Sequence, residues 1–348
     1  MSSSLPDLAA ALRRFDHIDS HVQVFDASWC SALWRRVDLG RAIRQTDLLH
    51  IHGLWEPHCA LGARMAMHAG RPYMVSAHGY LERWALSHKW WKKRVYTWLV
   101  ERRSLSGAVC LRALTRVEVD DYRRLRLKVP VALVPNGVSI PPDISSDAFL
   151  EAFPNLRNER LVLFMGRLHY KKGIDILCRA WAERPRPDHH LVIAGPNIDN
   201  TFAETTALVE QLGITKQVTF TGMLQGKLKW SALAAAELFV LPSRGEGLSM
   251  AVLEAAGVGV PLLLSNCCYF PEASEAGCGW VVDPAIAAVA DALDAACEMS
   301  SAEREAMRTR CRQLILQRYT WEVISRQLSQ VYRWLLTGAP AHGIEIFT

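Results

Sequence analysis

Short unbroken apolar runs alternate along this chain with longer stretches in which apolar residues recur every three or four positions. The first pattern reads as buried parallel strand, the second as helix. In the first half, strands are predicted at His21 to Phe25, Leu48 to His52, Tyr73 to Ala77, Ala108 to Leu111 and Val131 to Pro135. Helices are predicted at Leu8 to Arg14, at Ala32 to Arg44, up to His68, at about Trp90 to Arg103, and at Arg116 to Leu125. The second half repeats the rhythm, with strands at Leu161 to Met165, Leu191 to Ala194, Val218 to Thr221, Leu238 to Leu241 and Pro261 to Leu264, and helices between them. After Asp283 the pattern turns helical, at Ala285 to Met299, Ser301 to Gln317 and Trp321 to Leu336. Such alternation builds a parallel sheet covered by helices on both faces.

Between the halves, Asn136 to Arg157 carries Asn-Gly, Pro-Pro and a polar run, and reads as a linker. The 348 residues suit two domains of ordinary size. The expected organisation is α/β with two Rossmann-like domains at residues 1–140 and 155–318, and a closing helix at 319–337 that returns to the first domain.

Composition narrows the function classes. Half the residues are hydrophobic, enough for sizeable cores, and the net charge of +5 is too small to argue for nucleic acid. It is compatible with an acidic substrate or an anionic membrane surface. The nine cysteines are scattered without a C-x-x-C pair, which points to a reducing cytoplasm. No apolar run approaches the roughly 18 to 20 residues of a membrane span. Met1 to Pro6 shows no basic segment with an apolar one behind it, so no secretory leader is expected.

The candidate chemistry centres on Phe239 to Pro261, FVLPSRGEGLSMAVLEAAGVGVP. A strand stopped by Pro242 leads through a glycine turn into a helix with apolar residues at Met250, Leu253 and Ala256. Strand, turn and helix in that order aim the free N–H groups of Gly247, Leu248 and Ser249 at the carboxyl edge of the sheet, an anion site suited to phosphate. Glu246 and Glu254 bracket it with seven residues between them. Carboxylates do not bind phosphate, but they accept hydrogen bonds from vicinal hydroxyls. A diphosphate flanked by two sugars, as in a nucleotide sugar, satisfies both features. Gly166-Arg167-Leu168 and Lys172-Gly173 follow the first strand of the second half. There a planar Arg fork and a Lys point charge could clamp a diphosphate. Each motif alone reads as a solvated loop or a helix-surface glutamate; their order and placement favour the site.

This pairing of G-R-L-x3-K-G with E-x7-E, followed by Gly257 and Val260 to Leu264, resembles the donor site of retaining glycosyltransferases of family 4. The segment HGYLERWALSHKWWKKR resembles a subset of that family from bacterial polysaccharide clusters. The resemblance implies the GT-B architecture, two Rossmann-like domains facing a cleft. It implies Arg167 and Lys172 as the cations and His78, after the strand at Tyr73 to Ala77, as a catalytic or donor-positioning residue. Glu246 would hold the donor sugar and Glu254 the ribose. His52-Gly53-Leu54-Trp55 makes a similar strand end with a weaker claim to chemistry. Pro135 to Val138 matches the family's interdomain strand end, and Trp321 with Tyr332 matches its closing helix. A metal-independent hexosyltransferase is expected, with a nucleotide sugar as donor substrate, a glycan or lipid-linked glycan as acceptor, and no cofactor. The other reading is a silent nucleotide-sugar-binding partner of another transferase.

The helix Lys89 to Arg103 carries three Trp and six basic residues, so peripheral contact with the inner face of a membrane is an open expectation. There is no D-x-D and no H-E-x-x-H. The G-x-G triplets at Gly245, Gly257 and Gly277 lack a third glycine, which excludes a dinucleotide fingerprint. The family also begins with a strand and glycine-rich loop that this chain lacks ahead of its first helix. A truncated and less active first domain is therefore expected.

Overall fold

The structure, a computed structural model, describes residues 4–16, 18, 33–81, 101–198 and 200–348. The strand predicted at His21 to Phe25 and most of the basic helix from Trp90 lie outside the described residues. The chain divides into two compact units: Met1–Gly137 with Trp321–Thr348, and Val138–Thr320.

In the first unit, helices α1 (Ser4–Asp16) and α2 (Leu33–Gln45) precede β1 (Leu49–His52), α3 (Pro57–His68) and β2 (Tyr73–Ser76). Then come α4 (Arg102–Ser106), β3 (Cys110–Ala113), α5 (Arg116–Arg124) and β4 (Val131–Leu133). The strands β1-β2-β3-β4 are parallel neighbours in that order. The twofold period of a strand sorts their side chains onto two faces. Tyr73, Val75, Leu111 and Val131 pack with Ile43, Ala63, Leu105 and Tyr122. Met74, Cys110 and Ala132 pack on the other side with Leu8, Ala11 and Leu12 of α1. β3 starts two residues later than the predicted Ala108 and takes in Arg112, which a reading by hydropathy stops short of. Arg112 is 1% exposed. Its guanidinium donates to the carbonyls of Val134 and Pro135 and to Asn136 Oδ1. The fork satisfies three acceptors, so the charge is tolerated in the core.

The second unit opens with a correction. Asn136 to Arg157, read as a linker, contains α6 (Asp147–Ala152), and Phe149 and Leu156 are buried in the core of this unit. The Phe149 N–H donates to Ser231 Oγ at 2.8 Å. A helix of six residues is too short to show a readable period.

Beyond α6 the strands are β5 (Arg160–Met165), β6 (His189–Ala194), β7 (Val218–Gly222), β8 (Ala236–Leu241), β9 (Leu262–Ser265) and β10 (Gly279–Val282). All pair in parallel, in the order β10-β9-β8-β5-β6-β7. The strands β5, β8 and β9 lie inside the sheet and are almost wholly buried, as their unbroken apolar runs require. β10 was not predicted; Gly279 leads only three apolar residues, half-buried at the sheet edge. Helices α7 (Ile174–Ala182), α8 (Thr201–Gln211), α9 (Gly226–Ala235), α10 (Met250–Val258), α11 (Glu272–Glu275), α12 (Ile286–Cys297) and α13 (Ser301–Arg318) complete the unit. A reciprocal Ser300–Glu303 capping box starts α13.

The chain then re-enters the first unit. α14 (Trp321–Thr337) lays Trp321, Ile324, Leu328 and Val331 on the face formed by Met74, Cys110 and Ala132. β11 (Ile346–Phe347) pairs antiparallel with β4 and covers its edge, and Arg123 donates to the Phe347 carbonyl at 2.8 Å. Among the described residues, no helix is long and apolar enough to cross a membrane.

Candidate functional site

Two polar clusters sit at the carboxyl ends of strands, one in each unit. In the second unit, β5 ends in Gly166 and a short turn, Tyr170–Lys172, brings Lys172 back toward β8. Lys172 Nζ donates to Glu246 Oε1 at 2.5 Å. Ser243 Oγ donates to the same oxygen at 2.7 Å, and the Glu246 N–H donates to the Cys267 carbonyl at 3.0 Å. Glu246 is only 8% exposed, so its charge is held by a lysine and a hydroxyl rather than by water. Its Oε2 takes no hydrogen bond among the described residues and remains an acceptor.

Gly247, Leu248 and Ser249 lead into α10, with Ser249 at the cap position. The Ser249 side chain makes no capping hydrogen bond. The first intrahelical bond runs from the Leu253 N–H to the Ser249 carbonyl, which leaves the earlier N–H groups of the helix without helical partners. This end of α10 follows β8 and its turn in the predicted order and carries no side-chain cap. On the second turn, Glu254 Oε1 accepts from Lys229 Nζ at 2.8 Å, and Lys229 stands 4.3 Å from the centre of the Trp230 ring. Glu254 Oε2 is likewise without a partner among the described residues.

Arg167 is placed differently from its predicted companion. It is exposed and forms no hydrogen bond or ion pair among the described residues. The structure thus holds Lys172 on Glu246 and leaves Arg167 exposed. The loops carrying Lys172 and Glu246 are tied together by Arg244. Its guanidinium holds both oxygens of Asp175 at 2.7 Å, its face lies 4.0 Å from the Tyr170 ring, and its N–H donates to the Lys171 carbonyl at 2.8 Å. The Arg244–Asp175 clamp, Ser243 and Lys229 were missed by sequence reading. Arg244 and Asp175 are 69 residues apart, and nothing local marks them as a pair. Ser243, three residues before Glu246 in one turn, did carry a readable spacing.

In the first unit, His78 follows β2 in a left-handed conformation (φ 53°). Glu118, at the start of α5, fixes this turn by accepting from the N–H groups of Gly79 and Leu114. His78 Nε2 lies 2.8 Å from His52 Nδ1, so one ring donates to the other, and His52 is tied to His78 more closely than its strand-end motif suggests. The His50 ring lies tilted against His52 with ring centres 4.0 Å apart and bonds Ser76 Oγ at 2.8 Å and Tyr332 Oη at 2.7 Å. Tyr332 thereby links α14 to β1.

Burial and the Arg112 charge push all three rings toward the neutral form, and neighbouring histidines add to this at His50 and His52. Burial lowers His78 most, with Arg112 adding to it, to about 3. His50 is lowered by burial, then Arg112, and His52 by burial, then His50. A histidine with a folded pKa below its ordinary 6.5 stabilises fully above 6.5 and loses that contribution as pH falls toward about 3. Stability should therefore fall steeply between about pH 6.5 and 4, because unfolding takes up protons at these rings. Urea midpoints across that range should drop for the native chain and drop less for His78→Asn. A native midpoint that stays level would show the rings to be solvated.

With this geometry in place, known proteins offer a comparison. The family model "Glycosyl transferases group 1" matches residues 146–314, and "Glycosyl transferase 4-like domain" matches residues 3–137. The chain is similar to the GDP-mannose:cellobiosyl-diphosphopolyprenol alpha-mannosyltransferase of Xanthomonas campestris, 26% identical over 85% of this chain and 76% of that protein. Its fold is similar to that of sucrose-phosphate synthase from Thermosynechococcus elongatus, with a TM-score of 0.70 at 23% identity over 91% of this chain and 82% of the other. HepE of Anabaena in complex with UDP-glucose matches with a TM-score of 0.70 at 17% identity, over 91% and 87%.

Proposed function

We propose, from the premise that this chain is a glycosyltransferase of the family 4 type with the GT-B fold, that it takes its sugar from a nucleotide-diphosphate donor and transfers it with retention to a hydroxyl of a glycan or lipid-linked glycan. The observation that carries the donor reading is the pairing of each glutamate with its own lysine around the open N-terminus of α10. The N–H groups of Gly247 to Ser249, with Lys172 and Arg167, would hold the diphosphate. Glu246 Oε2 would accept from a hydroxyl of the donor sugar, and Glu254 from the ribose. The polyprenol-linked acceptor in the name of the Xanthomonas relative supports an acceptor of the cell-surface polysaccharide class.

In the reaction the bond from the sugar's anomeric carbon to the phosphate oxygen breaks and the electron pair leaves with the phosphate. The acceptor oxygen bonds to the same face of that carbon, and its proton passes to the departing phosphate. Negative charge grows on the leaving group in the transition state, where fixed cations and helix N–H groups act most strongly. His78 is assigned to positioning the donor sugar. Protein cations supply the positive charge, so we propose that no metal is required; EDTA should leave the rate unchanged, and strong inhibition would contradict it.

The donor reading is tested at Glu254. A hydrogen bond to a charged group contributes about 1.5–3 kcal/mol, so Glu254→Ala should weaken nucleotide-sugar binding roughly tenfold or more. Titration calorimetry with UDP-glucose and GDP-mannose on the native chain and the variant measures this. Unchanged affinity removes Glu254 from the donor site.

A further inference from the structure

We infer that Lys229 is a positioning residue for the donor's ribose and acts through Glu254. This rests on the donor reading above. Glu254 projects from the second turn of α10, and Lys229 comes from α9, a different element. Their side chains are 24% and 17% exposed for Lys229 and Glu254, so this is a partly desolvated pair rather than an open surface contact. Lys229 is itself held against the Trp230 ring.

Two consequences follow from one bond. A carboxylate beside a diphosphate repels it, and the lysine's positive charge offsets that repulsion. The bond also occupies Oε1 alone. With one oxygen pinned, the plane of the carboxylate is set, and Oε2 becomes a fixed acceptor for a ribose hydroxyl. Glu246 is treated in the same way: Lys172 and Ser243 share its Oε1 and leave Oε2 open. The two glutamates of the E-x7-E motif thus each depend on a lysine from outside the motif, and Lys229 plays for the ribose what Lys172 plays for the sugar.

The inference predicts a loss of discrimination rather than a general loss of affinity. Titration calorimetry with UDP, GDP and ADP identifies the base the native chain binds, and the matching 2′-deoxynucleoside diphosphate is then titrated. The native chain should prefer the ribonucleotide. Lys229→Met keeps an unbranched side chain and removes the ammonium that bonds Glu254 and lies over Trp230. It should weaken ribonucleotide binding roughly fivefold to tenfold and bring the ribo-to-deoxy ratio close to one. Lys229→Arg should keep that ratio within about threefold of native, because it restores a donor to Oε1. Lys229→Gln serves as a second neutral variant should the methionine lower the melting temperature by more than a few degrees. An unchanged ratio in both neutral variants, or equal weakening of the ribo and deoxy forms, overturns the positioning role. Failure of the native chain to bind any of the three nucleotides overturns the donor reading itself, and this inference with it.

Discussion

Lys172→Met is expected to cut turnover on the order of 100-fold while raising the donor's Michaelis constant far less. Two effects combine. The ammonium is a fixed cation at the carboxyl edge of β5, and the proposed reaction builds charge on a leaving phosphate there. It is also the cation that neutralises Glu246, whose side chain is 11% exposed against 13% for Lys172 itself. Removing one partner of a buried pair strands the other, a penalty of about 3–5 kcal/mol for full burial and less where water reaches the site. The single variant should therefore be less stable as well as slow. The double variant Lys172→Met with Glu246→Gln isolates the stability effect: it should recover stability, while turnover is read on the single variant, because Glu246 itself is proposed to touch the donor sugar. Steady-state kinetics and thermal melts on the three proteins check this. A raised Michaelis constant with native turnover would leave Lys172 a binding residue only.

Gly173→Ala should be strongly damaging in the second unit. Gly173 ends the Lys172 turn and begins α7 with φ 67° and ψ 29°. An added Cβ would lie 2.0 Å from the Pro242 carbonyl oxygen. That neighbour is backbone at the end of β8, so it cannot rotate away; the turn bearing Lys172 must move off the turn bearing Glu246. Left-handed strain adds about 1 kcal/mol to the steric cost. A total loss of about 3 kcal/mol should lower the melting temperature of this unit by roughly 6–12 °C. Gly213→Ala is the control. It has φ 70° with nothing within 4 Å of its Cβ, so it should show the backbone strain alone, a loss of about 1 kcal/mol. Equal losses in the two variants would mean that the close approach to Pro242 relaxes at no cost. Donor binding should fall only in Gly173→Ala, because only that glycine sets the distance between the two loops.

The parts legible in the sequence are those whose cause is local. Unbroken apolar runs located β5, β8 and β9 because a strand covered on both faces has no polar side to show. Strand, glycine turn and helix in immediate succession located the start of α10 and the order of Glu246 and Glu254. α6, β10 and β11 escaped because each is too short to show a period, and each is held by distant residues: Phe149 in the second core, β9 beside β10, β4 beside β11.

The sequence by itself therefore determined the two-unit α/β plan, the placement of Glu246 and Glu254 about the start of α10, and the strand-end position of His78. Partnership was decided only by the tertiary structure. Lys172 meets Glu246 across 74 residues. Lys229 meets Glu254, Arg244 meets Asp175, and His50 meets Tyr332 across 282 residues. Burial then sets the charge of the histidines, which no spacing along the chain could reveal. The physical reason is the reach of the forces involved. Propensity and periodicity act over one or two turns and can be read in order, whereas a hydrogen bond or an ion pair depends on distances that exist only after the sheets have assembled.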